Sequence, residues 1–236
     1  MAEPILFLPG MMCDARLFAP QIDMLSADRG VMVGNLTGSS QIGALAARVL
    51  DEAPRRFALV GLSMGGIVAM EILSRAPDRV TRVCLMDTNP LPETPKRAAE
   101  REPQIIGART GRLAEIIRTE IKPAYLAPGP QRVDILNLVV DMAEALGPDV
   151  FVDQSRALQR RLDQQATLRS ARMPALILCG AEDTLCPVQR HEHMADLMPN
   201  ARLEVVPDAG HLPVLEQPAR VNRLLSAWLD EPMVLR

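Results

Sequence analysis

The sequence predicts an α/β fold: a mostly parallel sheet of about six strands, with helices on both of its faces. Short apolar runs that stop at Gly, Pro or Asp predict buried strands, and they alternate with segments of helical periodicity. Strands that alternate with helices form parallel βαβ units with right-handed crossovers. A long segment of helical character interrupts this alternation after the fourth strand, which predicts an inserted helical region.

Each element follows from a local pattern and a stop signal. The predicted strands cover residues 5–8, 30–33, 57–60, 80–86, 175–179 and 203–206. The predicted helices outside the inserted region cover residues 17–25, 42–53, 67–76, 187–197 and 218–229. Asp14 is placed to cap the first of these helices, and Ser39 or Ser40 to cap the second.

The segment from Thr88 to Arg172 has a different texture. Strand-like runs are absent from it, charged residues alternate with Leu and Ile at helical spacing, and prolines punctuate it repeatedly. We expect three or four helices here that form a lid. The chain would then consist of a core, residues 1–87 and 173–236, and a helical lid, residues 88–172.

Composition and charge exclude several classes of function. A chain of 236 residues can bury one sizeable core, and its 48% apolar and 23% charged residues are typical of a globular protein. A net charge of -3 leaves no basic patch for nucleic acid, and no apolar run is long enough to cross a membrane. The N-terminus lacks the basic region of a signal peptide. The spacing of the Cys residues does not match a disulfide framework, which indicates reduced thiols. We therefore expect a cytoplasmic protein.

The strongest local signal is Gly-x-Ser-x-Gly, formed by Gly61, Ser63 and Gly65. The motif is weak by itself, but here it lies between a predicted strand and a predicted helix. A turn that tight strains its central residue, and the two glycines omit side chains that would collide there. This pattern predicts a nucleophile elbow, which lifts the Ser63 hydroxyl above the end of the sheet and beside a helix N-terminus. The alternative is a glycine-rich helix start with a capping serine.

A serine hydroxyl needs a base within hydrogen-bond reach before it becomes a nucleophile, and the chain offers three histidines. His211 lies in a loop directly after the last predicted strand, at the edge of the sheet where sites gather. His191 and His193 lie two residues apart on one predicted helix and face different sides of it, which argues against a shared metal site. We expect both to be solvated surface residues. His211 is the candidate base, and the alternative is a loop histidine satisfied by backbone groups.

The acid that orients this base should follow the preceding strand. Asp183 does so, and the interval from Asp183 to His211 holds one helix and one strand, which returns the chain to the same edge. Asp87, after the fourth strand, is the main rival, and Glu182 is a weaker one. The alternative role for Asp183 is to cap the helix near Pro187.

Two backbone N–H groups are candidates for an oxyanion hole. One belongs to Met64, which follows Ser63, and the other to Met11, in the loop after the first strand, where Pro9 has no N–H to offer. Cys13 lies in the same loop. No histidine is near Cys13 in the sequence, so we interpret it as a small buried apolar residue rather than an alternative nucleophile.

Together these residues resemble the α/β-hydrolase fold family. The resemblance rests on the order Ser63, Asp183, His211, on Gly-Leu-Ser-Met-Gly-Gly around the serine, on Gly-x-x-Asp ahead of Pro187 and on Gly-His-x-Pro around the histidine. It spans residues 5–229. It implies an all-parallel sheet in the strand order 4-3-5-6-7-8 of the family's naming, with a lid between strands six and seven. It also implies a Ser-His-Asp hydrolase similar to small esterases and C–C-bond hydrolases.

The expected function is hydrolysis of a small-molecule substrate, an apolar carboxylic ester or thioester, through an acyl-enzyme and without cofactor or metal. Only 3% of the residues are aromatic, whereas methionine occurs 13 times. This composition predicts a pocket lined by aliphatic and thioether groups. The alternative is a C–C-bond hydrolase, lyase or acyltransferase with the same triad, for which Arg109, Arg112 and Arg118 are candidate carboxylate ligands. An alternative of another class is a non-catalytic ligand sensor on the same fold.

Overall fold

A parallel sheet forms the centre of the molecule. The computed structural model describes residues 2–121 and 125–232. The strands within them are β1 (Ile5–Leu8), β2 (Val31–Val33), β3 (Phe57–Leu62), β4 (Val80–Met86), β5 (Ala175–Gly180) and β6 (Ala201–Val206). They form one 6-stranded, all-parallel sheet in the order β2-β1-β3-β4-β5-β6. Because β1 corresponds to the family's third strand, this is the order that the resemblance implied, and the predicted fold class is confirmed.

Helices surround this sheet. The α-helices of the described residues are α1 (Ala19–Leu25), α2 (Ile42–Glu52), α3 (Met64–Arg75), α4 (Pro95–Arg109), α5 (Leu113–Ile116), α6 (Arg132–Leu146), α7 (Pro148–Gln159), α8 (Gln165–Ser170), α9 (Val188–Leu197), α10 (Pro213–Glu216) and α11 (Pro218–Leu229). The bounds of β1, β4 and α11 are the predicted ones, and the other predicted strands and core helices differ by a few residues at their ends. The short helix α10 lies outside the predictions.

The helix caps follow the prediction only in part. Asp14 caps a 3₁₀ turn, Ala15–Phe18, that precedes α1, and its carboxylate accepts a hydrogen bond of 2.9 Å from the N–H two residues on. The predicted cap of α2, Ser39 or Ser40, is wrong, because Gln41 occupies that position without a side-chain capping bond. Ser39 instead accepts a hydrogen bond from the N–H of Gln41 at 3.2 Å, which closes a turn before the helix begins.

The segment between β4 and β5 is helical, as predicted, but its described residues contain five α-helices, α4 to α8, instead of three or four. The difference comes from α5 and α8, which have 4 and 6 residues and are too short for periodicity to reveal. Helix α5 continues directly into a π-helical turn, Ile117–Ile121. Gly147, at a positive φ of 84°, separates α6 from α7 and lets Pro148 start the second helix.

Apolar side chains cover the sheet on both faces. In β1, Ile5 and Phe7 join the cluster on one face, and Leu6 and Leu8 join the cluster on the other. All four are almost completely buried. Such burial is typical of parallel strands between helices and explains why β1 is an unbroken apolar run. Among the described residues, no helix combines the length and the apolarity needed to cross a membrane.

The register of the strands sets the points at which loops leave the sheet. Leu62 at the end of β3 pairs with Met86 at the end of β4, and Met86 pairs with Leu178 in β5. Gly180 at the end of β5 pairs with Val206 at the end of β6. The loops after these four strands therefore start side by side at the carboxyl edge, where the candidate residues follow.

Replacing Gly65 with Ala is expected to destabilise the fold by about 3 kcal/mol or more, because the added methyl group would overlap the backbone carbonyl of Leu8. Backbone atoms of a central strand cannot move aside as a flexible side chain can. Urea unfolding followed by circular dichroism measures the free energy. Gly129→Ala is the matched control, since an added methyl group meets no atom within 4 Å there. Equal losses in the two variants would contradict the close approach at Gly65.

Candidate active site

Ser63 lies in a tight turn between β3 and α3. Its backbone has φ 55° and ψ -116°, a conformation that costs a non-glycine residue on the order of 1–3 kcal/mol. A methyl group added to Gly61 would lie 2.5 Å from the carbonyl oxygen of Gly65, and one added to Gly65 would overlap Leu8. Only glycine fits at either position, so the chain can turn sharply and present the serine at the start of the helix.

Three side chains from separate loops form one chain of hydrogen bonds. The Oγ of Ser63 lies 2.9 Å from Nε2 of His211, and Nδ1 of His211 lies 2.7 Å from Oδ2 of Asp183. His211 is 2% exposed and Asp183 is 4% exposed, so solvent barely competes for these contacts. The structure thus brings together the serine, the histidine and the aspartate that the sequence singled out, from the loops after β3, β6 and β5.

Backbone groups as well as His211 hold Asp183. Its Oδ1 accepts hydrogen bonds from the N–H groups of Leu185, at 2.8 Å, and Cys186, at 3.0 Å. Burial acts to raise the pKa of Asp183, but the charge and hydrogen bonds of its neighbours, His211 first among them, outweigh burial and hold the pKa below its usual value. Asp183 is therefore ionised near neutral pH. Glu182, the weaker candidate, is exposed.

Asp87, the main rival, is fully buried at the end of β4. Its Oδ1 accepts a hydrogen bond of 2.9 Å from the N–H of Gly180. Burial raises the pKa of Asp87 well above its usual value, and the adjacent Asp183 carboxylate raises it further. Of these two neighbouring carboxyl groups, Asp87 is thus the one that favours the protonated form and Asp183 the one that favours the charged form.

Glu216 in α10 organises the loop that carries His211. Its two carboxylate oxygens accept hydrogen bonds from the N–H groups of Gly210 and Leu212, each at 2.9 Å, on either side of the histidine. The N–H of His211 itself donates to the carbonyl oxygen of Tyr125 at 2.6 Å. Sequence patterns did not reveal Glu216, although an acidic residue in the first turn of a helix is a known signal for binding nearby N–H groups.

The predicted oxyanion donors belong to Met64, the residue after Ser63, and to Met11 in the loop after β1. Met64 is the first residue of α3, so its N–H has no acceptor within the helix and lies at the positive end of the helix dipole. Met11 lines a cavity that Ser63 also lines. The N–H of Met12, in the same loop as Met11, donates to Oε1 of Gln154 at 2.8 Å, which removes it from the candidates.

The prediction for His191 is wrong, because this residue is fully buried rather than solvated. Its Nε2 accepts a hydrogen bond of 3.1 Å from the N–H of Thr88, and its Nδ1 lies 3.4 Å from the carbonyl oxygen of Pro187. The Thr88 hydroxyl donates to the carbonyl oxygen of Ser63 at 2.8 Å, so His191 supports the turn through Thr88. Burial lowers the pKa of His191 to about 4, which keeps the ring neutral and able to accept. His193 is partly exposed.

One group of side chains has the composition of a metal site. Asp183, Cys186 and His211 place possible ligand atoms within 4.8 Å of one another. Burial raises the pKa of Cys186 well above its usual value, so the residue is a thiol rather than the thiolate that metals bind. Asp183 and His211 are also bonded to each other at 2.7 Å, so a metal ion would have to displace this hydrogen bond as well as the thiol proton, and the donor set fits a metal poorly. All four cysteines are buried, as predicted, and none of them forms a disulfide in the described part of the chain.

Two adjoining lobes of a cavity lie beside Ser63, with volumes of about 90 Å³ and 160 Å³. Both are smaller than the roughly 300–1,000 Å³ of pockets for drug-sized ligands, which suits a small substrate. Leu158 and Leu185 line both lobes, in keeping with the predicted aliphatic lining. Charged side chains, which the sequence did not predict, line the lobes as well: Arg97, Arg101, Arg161, Arg190, Glu93 and Glu100.

The arginines predicted as carboxylate ligands lie elsewhere. Arg109, Arg112 and Arg118 are exposed and line neither lobe. Arg97 and Arg101 on α4 line both lobes instead, and their spacing of four residues puts them on one face of the helix. Cys13 is buried and lines neither lobe.

The chain matches the model of the alpha/beta hydrolase family over residues 5–224. It belongs to this family. It is 30% identical, over 182 residues and 72% of each chain, to a pimeloyl-[acyl-carrier protein] methyl ester esterase of Aromatoleum aromaticum. A putative 2-succinyl-6-hydroxy-2,4-cyclohexadiene-1-carboxylate synthase of Bacillus subtilis is 26% identical over 94% of this chain and 84% of its own length.

Among solved structures, the chain is similar to a thermophilic esterase from Thermogutta terrifontis. The identity is 26%, the TM-score is 0.82, and the match covers 97% of this chain and 90% of that chain. With the family match and these relatives, the chain is an enzyme of the alpha/beta hydrolase family.

The burial of His191 should make the fold sensitive to mild acid. The ring is protonated near pH 6.5 in an unfolded chain but only near pH 4 in the folded one. Below pH 6.5 the unfolded state therefore binds the extra proton, and this one group removes roughly 3 kcal/mol of stability as the pH approaches 4. Urea unfolding of the parent and of His191→Gln, at neutral pH and near pH 4.5, measures the effect. The variant should lose less stability on acidification than the parent.

His193→Gln controls for the loss of a histidine from the same helix. The comparison that counts is between the two variants, since all other titrating groups are common to them. If the stability of His191→Gln and His193→Gln depends on pH to the same extent, the buried neutral ring is not the cause of the acid sensitivity.

Proposed function

We propose that this chain is a serine hydrolase of small carboxylic esters or thioesters, acting through Ser63, His211 and Asp183 and an acyl-enzyme intermediate. One observation carries this proposal: hydrogen bonds of 2.9 Å and 2.7 Å run unbroken from the Ser63 hydroxyl through the His211 ring to Asp183. A serine becomes nucleophilic when a base can take its proton during attack, and this geometry supplies such a base.

In the first half of the reaction, Ser63 attacks the carbonyl carbon of the substrate while Nε2 of His211 takes the hydroxyl proton. The carbonyl oxygen becomes an oxyanion, which the N–H groups of Met11 and Met64 stabilise. Collapse of this intermediate breaks the bond to the alcohol or thiol, which leaves with the proton from His211.

In the second half, water attacks the acyl-enzyme and gives its proton to the same nitrogen of His211. The new tetrahedral intermediate collapses, the carboxylic acid is released, and Ser63 recovers its proton. Asp183 holds the ring with Nδ1–H toward itself and stabilises the imidazolium that forms at each step. Glu216 is a positioning residue, because it binds the histidine loop rather than the substrate, and Asp87 holds the end of β5 through the N–H of Gly180.

We also propose that residues 88–172 act as a lid over a core of residues 1–87 and 173–236. The side chain of Gln154 in α7 accepts a hydrogen bond from the N–H of Met12, which supports close packing of the lid on the loop after β1. Side chains of α4 contribute to the walls of both lobes beside the serine. A cover in this place excludes water from the reacting carbonyl.

The named relatives support an ester as the substrate. One is a pimeloyl-[acyl-carrier protein] methyl ester esterase, and the similar solved structure is an esterase. The small volumes of the two lobes and their leucine and methionine walls favour a short acyl chain. We further propose a cytoplasmic location, because four buried thiols outside disulfides suit a reducing compartment.

A second candidate is C–C-bond cleavage, lyase chemistry or acyl transfer by the same residues. It is favoured by the Bacillus subtilis relative, which is named as a synthase of a cyclohexadiene carboxylate. In a lyase reaction His211 would take a proton from the substrate rather than from Ser63. A non-catalytic ligand sensor is less well supported, because it has no need for a buried and ordered chain of hydrogen bonds at Ser63.

Labelling with a fluorophosphonate tests the nucleophile and the base together. We expect modification of Ser63, mapped by mass spectrometry, because His211 activates that hydroxyl. His211→Ala should slow labelling by on the order of 10³-fold or more, and Ser63→Ala should abolish both labelling and turnover of short p-nitrophenyl esters. Ser74→Ala, at an exposed serine of the same helix, is the control and should label normally. Full ester turnover by Ser63→Ala would rule the proposal out.

Replacing Asp183 with Asn should lower kcat by on the order of 10³–10⁴-fold, because an amide cannot stabilise the imidazolium and favours the wrong tautomer of His211. Asp87→Asn is the matched control. An amide donates and accepts in the same sense as a protonated carboxyl, so kcat should stay within about tenfold of the parent value. Steady-state kinetics with p-nitrophenyl acetate measures both. A larger loss in Asp87→Asn than in Asp183→Asn would identify Asp87 as the orienting acid.

A further inference from the structure

The cavity beside Ser63 is positively charged in a protein that is negative overall. The charged side chains that line it within the described part of the chain are Arg97, Arg101, Arg161, Arg190, Glu93 and Glu100. Four arginines against two glutamates leave a surplus of positive charge, whereas the whole chain has a net charge of -3. A cleft lined by an excess of one sign of charge attracts ligands of the opposite sign.

Three of these residues form a cluster that is short of one negative charge. Oε2 of Glu93 lies 2.9 Å from Nε of Arg101, and Oε1 of Glu93 lies 3.2 Å from Nη1 of Arg161. The exposed fractions of the side chains are 5% for Glu93, 9% for Arg161 and 16% for Arg101. One buried carboxylate therefore faces two largely buried guanidinium groups.

Burial makes this surplus charge significant. Removing a cation from water is costly unless an opposite charge meets it in its new surroundings. Burial is the largest influence on the pKa of Arg161 and lowers it, although the charge of Glu93 acts in the opposite direction. An anion bound in the cavity would supply the charge that the cluster lacks.

Arg101 connects this cluster to the reacting groups. It lines both lobes together with Ser63, and its Nη1 lies 3.6 Å from the sulfur of Met11, whose N–H is a proposed oxyanion donor. Arg97, four residues earlier on the same face of α4, lines both lobes as well. A small ligand held by Arg101 therefore shares its cavity with the serine hydroxyl.

We propose that the substrate carries a free carboxylate in addition to the reacting ester, and that Arg101 binds this carboxylate with Arg97 beside it. A guanidinium presents parallel N–H groups that match the two oxygens of a carboxylate. The aliphatic part of the ester then lies against the leucine and methionine walls. This substrate class presupposes the proposed function, since the ester bond has to reach Ser63.

The test compares half-esters with uncharged analogues of the same size. Monomethyl succinate, glutarate and adipate place a carboxylate at increasing distances from a methyl ester, and their monoamide analogues lack only the charge. We expect kcat/KM to favour the carboxylate by about tenfold or more for at least one chain length, as for a hydrogen bond between charged groups. The preference should shrink at high ionic strength.

Variants of two arginines on one helix assign the preference to a residue. Arg101→Gln should abolish the preference, so that kcat/KM for the half-ester falls to that of its amide analogue measured on the same variant. Arg109→Gln, at an exposed arginine of the same helix outside the cavity, is the control and should keep the preference. Arg101→Lys retains the positive charge but lacks the planar guanidinium, so it should keep part of the preference for the carboxylate. Circular dichroism checks the folding of each variant.

Equal kcat/KM values for acid and amide at every chain length would overturn the proposal, and this comparison needs no variant at all. A preference that survives Arg101→Gln would overturn the assignment to Arg101. Inhibition by glutarate and by inorganic phosphate distinguishes a carboxylate site from a general anion site. Stronger inhibition by phosphate would also overturn the proposal.

Binding to Ser63→Ala separates this proposal from the proposed function. By calorimetry, the half-ester should bind about tenfold more tightly than its amide analogue, whether or not Ser63 is the nucleophile. Ester turnover that persists in Ser63→Ala would overturn the proposed function, and the calorimetric comparison would still decide on the carboxylate. Equal affinities of acid and amide would overturn the carboxylate site, even if Ser63 proves to be the nucleophile.

Discussion

Hydrogen bonds that continue the parallel ladder beyond the ends of the strands hold the candidate site together. The N–H of Ser63 donates to the carbonyl oxygen of Met86 at 2.9 Å, and the N–H of Asp87 donates to that of Leu178 at 3.0 Å. The loop after β5 is bonded to the end of β6 in the same way, at 2.8 Å. Each loop therefore starts from a fixed point on one edge of the sheet. Side chains that are far apart in the sequence can then meet with little further loss of conformational entropy, because the sheet has already ordered their backbones.

Burial at this edge decides which groups carry a charge. Burial raises the pKa of Asp87 and favours its protonated form, whereas His211 and backbone N–H groups outweigh burial at Asp183 and favour its ionised form. His191 is neutral because burial lowers its pKa to about 4, so its ring can accept the hydrogen bond that supports the serine turn. A water-filled edge would leave these groups near their ordinary pKa values, and the division of labour between two neighbouring carboxyl groups would be lost.

The sheet and the residues at its edge could be predicted because each depends on a local signal. Apolar runs with Gly, Pro or Asp stops mark the strands, and the reaction needs particular residue types directly after them. His191 gave no such signal: its neighbours on α9, Arg190 and Glu192, are exposed, and the hydrogen bond from Thr88 that its ring accepts is a long-range contact. The cavity arginines are similar, since nothing in the local pattern distinguishes Arg101, which lines the cavity, from Arg109, which is exposed. Which face of a helix between β4 and β5 lines the cavity depends on tertiary packing.

The arginine cluster lies where ion pairs connect α4 with the end of α7. Glu93, ahead of α4, contacts both Arg101 on α4 and Arg161 just after α7, and Arg156 on α7 pairs with Glu102 on α4. These contacts fix the guanidinium groups before any ligand arrives, so an anion bound there would not have to order them, and binding would cost less entropy. The reacting groups take their positions from the edge of the sheet, whereas the charge that selects the substrate comes from the helices above it. Selectivity can therefore change through α4 and α7 without disturbing the chemistry at the edge.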